Sequence, residues 1–295
     1  MSLDKLSLTD WIEAAEAQSV LFTDFCVDFQ SKQLGISSAD IVARMEDLLT
    51  VMEESIAAGL TGVRSKGGLV GGDAQRLRRY SDSGQRSMLG SFVGKAVTYS
   101  LAVGEANAAM GRIVAAPTAG SSGVLPAILF TLKSEFHLEQ TELAKGMVVA
   151  GAIGMVIASR ASLAGAAGGC QAECGSAGAM AAGAIVSLLG GTPVQVGHAV
   201  AITIKNMLGL VCDPVAGLVE VPCVKRNAGA VAQAIVAAEM ALAGIESVIP
   251  VDEVIDAMES VGQSMHCSLK ETAQGGLAVT PTGLALTEKI FGNCK

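Results

Sequence analysis

The stretch CGSAGAMAAGAIVSLLGGTPVQVGHAVAITI, from Cys174 to Ile204, runs 31 residues without an Asp, Glu, Lys or Arg. About 20 apolar residues suffice to cross a bilayer as a helix, so a membrane span must be weighed first. Gly190-Gly191-Thr192-Pro193 speaks against one: paired glycines stop a helix and Thr-Pro starts another. Ser176, Gln195 and His198 add polar groups on both sides of the break. Two helices buried in protein, 176–189 and 193–208, are expected, and no membrane partner.

The same small-residue style runs through the composition. Apolar residues make up 51% of the 295, enough for a substantial core, yet aromatics are only 3% and glycines number 35. Close approach of helix backbones must therefore replace the bulk that Phe and Trp usually supply. Further helices are expected at 139–159, 228–244 and 251–265, along 102–110 and over the apolar 124–132. Near the N-terminus Thr9 or Asp10 offers a cap, and Ile41, Leu48, Leu49 and Met52 recur at helical spacing. Alternation of β-branched residues is scarce, leaving room for short strands only near Gly111–Ala115. The fold class is mainly α, with Gly-rich loops and small-residue helix packing. An N-terminal helical segment, 1–60, leads into a main domain, 61–295, as one continuous structural unit.

Formal net charge is −8 and the longest basic cluster is Arg76-Leu77-Arg78-Arg79, so no nucleic acid partner is expected. Mean hydropathy is +0.49, in keeping with the buried helices. Seven cysteines, an odd number, and no charged-then-apolar leader before Trp11 argue against a secreted disulfide framework. The expected compartment is the reducing cytoplasm.

Two loops could carry chemistry. Residues 59–72 are too rich in glycine for a helix or a central strand and must approach something closely or move. In the second, Ala116 to Gly123, the hydroxyls of Thr118, Ser121 and Ser122 and the amides around Gly120 and Gly123 precede an apolar helical run. Free N–H groups there suit a carboxylate or phosphate, and the same residues also suit a plain helix cap. Lys66 together with this loop would fit a pyridoxal-phosphate lyase, although no parallel-sheet scaffold accompanies it. Asp73, Glu105, Glu173 and Asp213 are candidate acids or bases, and equally candidate caps or ion-pair partners. Of the three histidines, His137 reads as surface, His198 as a satisfied core imidazole, and His266 abuts Cys267; none is an evident general base.

Four cysteines, Cys170, Cys174, Cys212 and Cys223, fall in GGCQAECG and CDPVAGLVEVPC. Thiolates are soft ligands, and loops bounded by Gly and Pro can turn them toward one point. The four could close a zinc site, three could hold a four-iron cluster with one iron open, or all could be buried apolar thiols. Zinc ribbons pair two C-x-x-C knuckles, which these gaps do not reproduce, so a non-catalytic zinc-stapled protein is weakened but spacing alone does not choose.

AAPTAGSSGVLPA (115–127), GAAGGCQAECGSA (165–177), KNMLGLVCDPVAGLVEVPCVKRN (205–227) and KETAQGGLAVTPTG (270–283), with Val70-Gly71-Gly72-Asp73, span most of the chain from about 60 onward. In this order they resemble the α subunit of the bacterial iron-sulfur-dependent L-serine dehydratases. The resemblance implies a 4Fe-4S cluster on Cys170, Cys212 and Cys223, its fourth iron open to L-serine. It implies that residues 61–295 are the catalytic iron-sulfur domain, with Thr118, Gly120, Ser121, Ser122 and Gly123 around the substrate. Cys174 departs from the family pattern, where a small apolar residue follows Q-A-E, and Cys294 is placed to cover the open iron when substrate is absent. The family's base is a histidine in a Ser-Ser-His-Thr stretch of its β portion. This chain has no such stretch, so a heterodimer with a β subunit is implied. The role implied is in amino-acid catabolism and gluconeogenesis.

Overall fold

The computed structural model describes residues 5–292, which form thirteen α-helices and no strand. In chain order these are α1 (Leu8–Gln18), α2 (Phe22–Leu34), α3 (Ser38–Leu60), α4 (Asp73–Asp82), α5 (Gly90–Ala108), α6 (Val124–Phe136) and α7 (Gln140–Arg160). They continue as α8 (Gly165–Gly168), α9 (Ser176–Leu188), α10 (Pro193–Met207), α11 (Cys223–Leu242), α12 (Val251–Ser264) and α13 (Pro281–Phe291). A π-helical turn, Gln171–Gly175, runs directly into α9.

The break at 190–192 falls where the glycines and proline put it. Gly190 leaves α9 at φ +79°, and α10 opens with a reciprocal cap. In that cap the Gln195 amide donates to Thr192 Oγ1 at 3.2 Å and the Thr192 amide donates to Gln195 Oε1 at 2.9 Å. At 13 and 15 residues the two helices are each too short to cross a bilayer. Helix α7 alone among the described residues has the length and apolarity for that, and most of its apolar window is buried against other helices.

Helix α9 is the axis of the molecule. Every residue from Ser176 to Val186 is buried, enclosed by α6, α7, α10 and α11. Glycine makes the contacts possible. A Cβ on Gly183 would lie 2.2 Å from Ile153 Cδ1 of α7, and one on Gly178 would lie 3.0 Å from Thr203 Cγ2 of α10. The tightest approach is between α3 and α5, where a Cβ on Gly59 would fall 1.9 Å from the Ala102 carbonyl oxygen. Trp11, Leu49 and Met52 from the first 60 residues join the same buried cluster as α9. The scarce aromatics gather there too, with Trp11 and Phe29 ring centroids 4.5 Å apart.

Four local expectations shift, the first being the helix expected along 102–110, which runs from Gly90 to Ala108. The cap of α1 is Ser7, whose Oγ accepts from the Asp10 amide at 2.9 Å, not Thr9 or Asp10, because α1 begins at Leu8. No strand forms at 111–115; among the described residues there is no strand with which it could pair. Helix α11 starts at Cys223, five residues before the expected 228. Lys225, Arg226 and Asn227 interrupt the apolar periodicity there, while Pro222 just ahead loses nothing by lacking an N–H at a helix start. The early start puts Cys223 on the first turn of a rigid helix.

Candidate active site

The four cysteines come from three elements: Cys170 and Cys174 from the π-helical turn and its approach, Cys212 from the loop after α10, and Cys223 from the start of α11. For Cys212 and Cys223 burial comes first in setting their chemistry. It pushes the Cys223 thiol up to about 12 and the Cys212 thiol higher still, and charge at Cys170 and Glu173 adds to both. Cys170 goes the other way, lowered chiefly by the hydrogen bond from the Cys174 thiol, which is itself raised. Mutual influence of this kind requires all four sulfurs to share one neighbourhood, with Arg226 as its cation. Burial opposes the charge of Arg226, but Asp213, Cys170 and Cys223 more than offset that and hold the guanidinium above its usual pKa.

Among the described residues no three His, Cys, Asp or Glu side chains converge tightly enough to hold a single metal ion. A polynuclear cluster spreads its thiolates more widely. Gly165 lets the backbone come close to the thiols and carboxylates: a Cβ there would lie 2.9 Å from Cys212 Sγ, 2.9 Å from Glu173 Oε2 and 3.1 Å from Glu271 Oε2. The soft donor set fits an iron-sulfur group. Cys294 lies outside the described residues.

The Ala116–Gly123 loop meets the cysteines through two side chains. Thr118 Oγ1 donates to Glu173 Oε1 at 2.8 Å, and Glu173 sits between Cys170 and Cys174 in sequence. Burial pushes the Glu173 carboxyl up, the Thr118 bond opposes the shift, and nearby Glu271 adds to it. Asn227 makes the second link: its Nδ2 donates to Gly120 O at 2.7 Å and to Cys223 O at 2.9 Å, and its Oδ1 accepts from the Gly123 amide at 3.0 Å. From the opposite side Asn107 of α5 donates to Ala119 O at 3.0 Å.

Over this turn lies a narrow crevice, closed to a water-sized molecule in this conformation, lined by Asn107, Ala119, Gly120, Ser122, Cys223 and Asn227, among others. Of the expected substrate residues, Gly120 and Ser122 reach it. Thr118, Ser121 and Gly123 stand behind it: Ser121 is fully buried with its hydroxyl 3.0 Å from Thr118 Oγ1, and the Gly123 amide is taken by Asn227. The Ala119 and Gly120 amides have no hydrogen-bond acceptor among the described residues. Free backbone N–H groups in a turn suit an anionic oxygen.

The other acids are anchors. Glu105 accepts from the Asp73 amide at 2.6 Å and so fixes the start of α4, while Asp73 pairs with Arg76 and Lys225. Asp213 pairs with Arg226 at 2.8 Å and accepts from the Leu277 amide at 2.7 Å. It thereby ties the 270–277 strap to the Cys212 loop. Gly276 has to be glycine there, at φ +58° with its Cβ position 2.3 Å from Asp213 Oδ2.

Lys66 is exposed, and its loop is anchored on Glu220. Glu220 accepts from Ser65 Oγ at 2.5 Å and from the Gly67 and Leu69 amides at 3.1 Å each. Glu220→Ala is expected to free the 65–69 loop and to cost about 1.5–3 kcal/mol, the usual worth of hydrogen bonds to a buried charge. Faster hydrogen exchange at Gly67 and Leu69 checks it.

His137 is exposed at the end of α6, and His198 is half-buried, its Nδ1 accepting from the Ser247 amide at 3.3 Å. His266 is exposed, with Nδ1 2.8 Å from Ser268 Oγ. Asn227 and Glu220, both inside the 205–227 motif, were not among the candidates drawn from sequence. Their only signal was a polar residue close to a cysteine.

Residues 5–278 match the family described as serine dehydratase alpha chain. The chain is 52% identical, over 97% of its length and 95% of the relative's, to the probable L-serine dehydratase, alpha chain, of Bacillus subtilis. It is 44% identical to the L-serine dehydratase, alpha chain, of Peptoniphilus asaccharolyticus, covering 92% of this chain and 93% of that one. With the L-serine dehydratase of Streptomyces coelicolor it shares 46% identity over 61% of its length, which is 40% of that longer protein.

Proposed function

Because the chain belongs to the serine dehydratase alpha chain family, we propose that it is the alpha chain of an L-serine dehydratase, converting L-serine to pyruvate and ammonia. We further propose that Cys170, Cys212 and Cys223 hold a 4Fe-4S cluster and that a second chain completes the enzyme. One observation carries this reading: the thiol neighbourhood and the Ala116–Gly123 turn are joined through Glu173 and Asn227, with a crevice between them.

The chemistry needs both halves. Serine's β-hydroxyl leaves poorly and its Cα–H is weakly acidic, so elimination calls for an electrophile at the oxygen and a base at the carbon. When bound, a cluster held by three thiolates supplies the electrophile as Lewis acid at its open iron. The remaining work falls to the chain's own groups. The Ala119 and Gly120 amides, which have no acceptor among the described residues, would receive the substrate carboxylate, next to the Ser122 hydroxyl that donates to Ala119 O at 2.8 Å. Fixing the carboxylate orients the Cα–H and the β-oxygen, which converts a chance encounter into a positioned one. Proton loss from Cα and departure of the hydroxyl as water leave 2-aminoacrylate. It tautomerises to the imine, and water then releases ammonia and pyruvate.

We assign the base to the second chain, since His137 is exposed at the end of α6, His198 accepts from the Ser247 amide and His266 is held by Ser268 on an exposed strap. Thiols that must stay reduced also suit a cytoplasmic setting.

Anaerobic reconstitution with and without the second chain tests the proposal. Iron and acid-labile sulfide should load onto this chain, and pyruvate should form from L-serine only when both chains are present. One zinc and no sulfide would overturn the cluster; full turnover by this chain alone would overturn the assignment of the base.

A further inference from the structure

We propose that Asn227 is the positioning residue that holds the carboxylate-binding turn in a fixed frame relative to Cys223. This rests on the function proposed above and goes beyond it. Asn227 is only 2% exposed, so its amide has no recourse to water. Every strong hydrogen-bonding position is taken: Nδ2 gives one proton to Gly120 O at 2.7 Å and the other to Cys223 O at 2.9 Å, and Oδ1 accepts from the Gly123 amide at 3.0 Å. The network also fixes which way the amide faces. Turned over, its oxygen would oppose two carbonyls and its nitrogen an N–H.

Two of these bonds reach the turn at positions three residues apart, one through an acceptor and one through a donor. Such a pair fixes both where the turn sits and how it is rotated, which a single bond cannot do. The third bond ends on Cys223, one helical turn back along α11. The amide therefore spans the distance between the backbone that presents the Ala119 and Gly120 N–H groups and the backbone that presents a thiolate. Glycine makes the close approach possible: a Cβ on Gly123 would lie 2.7 Å from Ser100 O and 3.1 Å from Asn227 Oδ1. Asn227 also lines the crevice itself.

The consequence is specific to substrate binding. Asn227→Asp keeps size and shape but sets a carboxylate oxygen against the carbonyls of Gly120 and Cys223, so the turn must rotate or withdraw. We expect the two-chain holoenzyme carrying N227D to keep its iron and sulfide. Its KM for L-serine should rise at least tenfold, with a smaller fall in kcat. L-Alanine, which has the carboxylate but no hydroxyl to eliminate, should lose potency as a competitor by a similar factor. Asn227→Ala, which removes the clamp without adding a charge, should show the same loss of L-alanine competition, and serves if N227D does not fold.

A merely structural role gives a different pattern: lower cluster content and lower Tm, with the remaining active enzyme keeping wild-type KM and wild-type L-alanine competition. That pattern overturns the inference. If instead the wild-type holoenzyme fails to form pyruvate from L-serine, the proposed function itself has failed, and the two failures are told apart.

Discussion

Cys212→Ser is expected to strip iron and acid-labile sulfide from the anaerobically purified protein and to lower pyruvate formation from L-serine by about 10³-fold or more. Cys212 is 3% exposed and its sulfur packs closely against Gly165, whose Cβ position lies 2.9 Å from it. Serine fills nearly the same volume, so packing is retained, but an alkoxide is a hard ligand with a far higher pKa than a thiolate. Loss of one of three ligands removes the Lewis acid, whose contribution of several kcal/mol corresponds to that rate factor at about 1.4 kcal/mol per tenfold. Binding should release protons, because burial holds Cys212 and Cys223 as thiols until metal displaces the hydrogen. The matched control is Cys26→Ser. Cys26 is buried in α2, its thiol pushed up to about 12 by burial alone, and its replacement should leave iron and sulfide unchanged. Cys174→Ala should also keep the cluster; iron loss in that variant would move Cys174 into the ligand set.

Gly59→Val should be the most damaging single change to the fold outside the site. The first atom of the new side chain falls 1.9 Å from the Ala102 carbonyl oxygen and 2.3 Å from its carbon, both backbone atoms that cannot step aside by changing rotamer. Helices α3 and α5 must separate, and α5 also packs against α4, α6 and α11. Overpacking of a well-filled contact costs about 1–3 kcal/mol and sometimes more, and this clash belongs at the upper end. A thermal scan of the apo chain should show Tm lowered by about 5 °C or more. Gly229→Ala in α11 is the contrast. Gly229 is exposed, nothing lies within 4 Å of its Cβ position, and alanine there should stabilise the helix by up to about 1 kcal/mol. Equal effects at the two sites would mean that close helix contact is not what these glycines serve.

The comparison between sequence and structure turns on range. The ends of α9 and α10 were legible because glycine, threonine and proline act on their own neighbours. The start of α11 was not, since three polar residues broke the apolar pattern although the backbone continued as helix. Thr118, Gly120, Ser121, Ser122 and Gly123 were recognisable as one loop, but only the fold separates the two that line the crevice from the three that stand behind it. Glu173 stood among four undifferentiated acids until Thr118 was found on it.

What the sequence determined by itself is what neighbours along the chain decide: helix periods, breaks, caps, small residues for close contact, and soft thiols in loops able to bend. Which polar groups meet was decided only by tertiary structure. Asn227 bonds residues 104 and 107 positions away, and Glu220 bonds others 151 to 155 away. Helical hydrogen bonds close over four residues and so leave a periodic trace in the sequence. A side-chain bond across the core leaves none, because its geometry depends on how several helices pack at once.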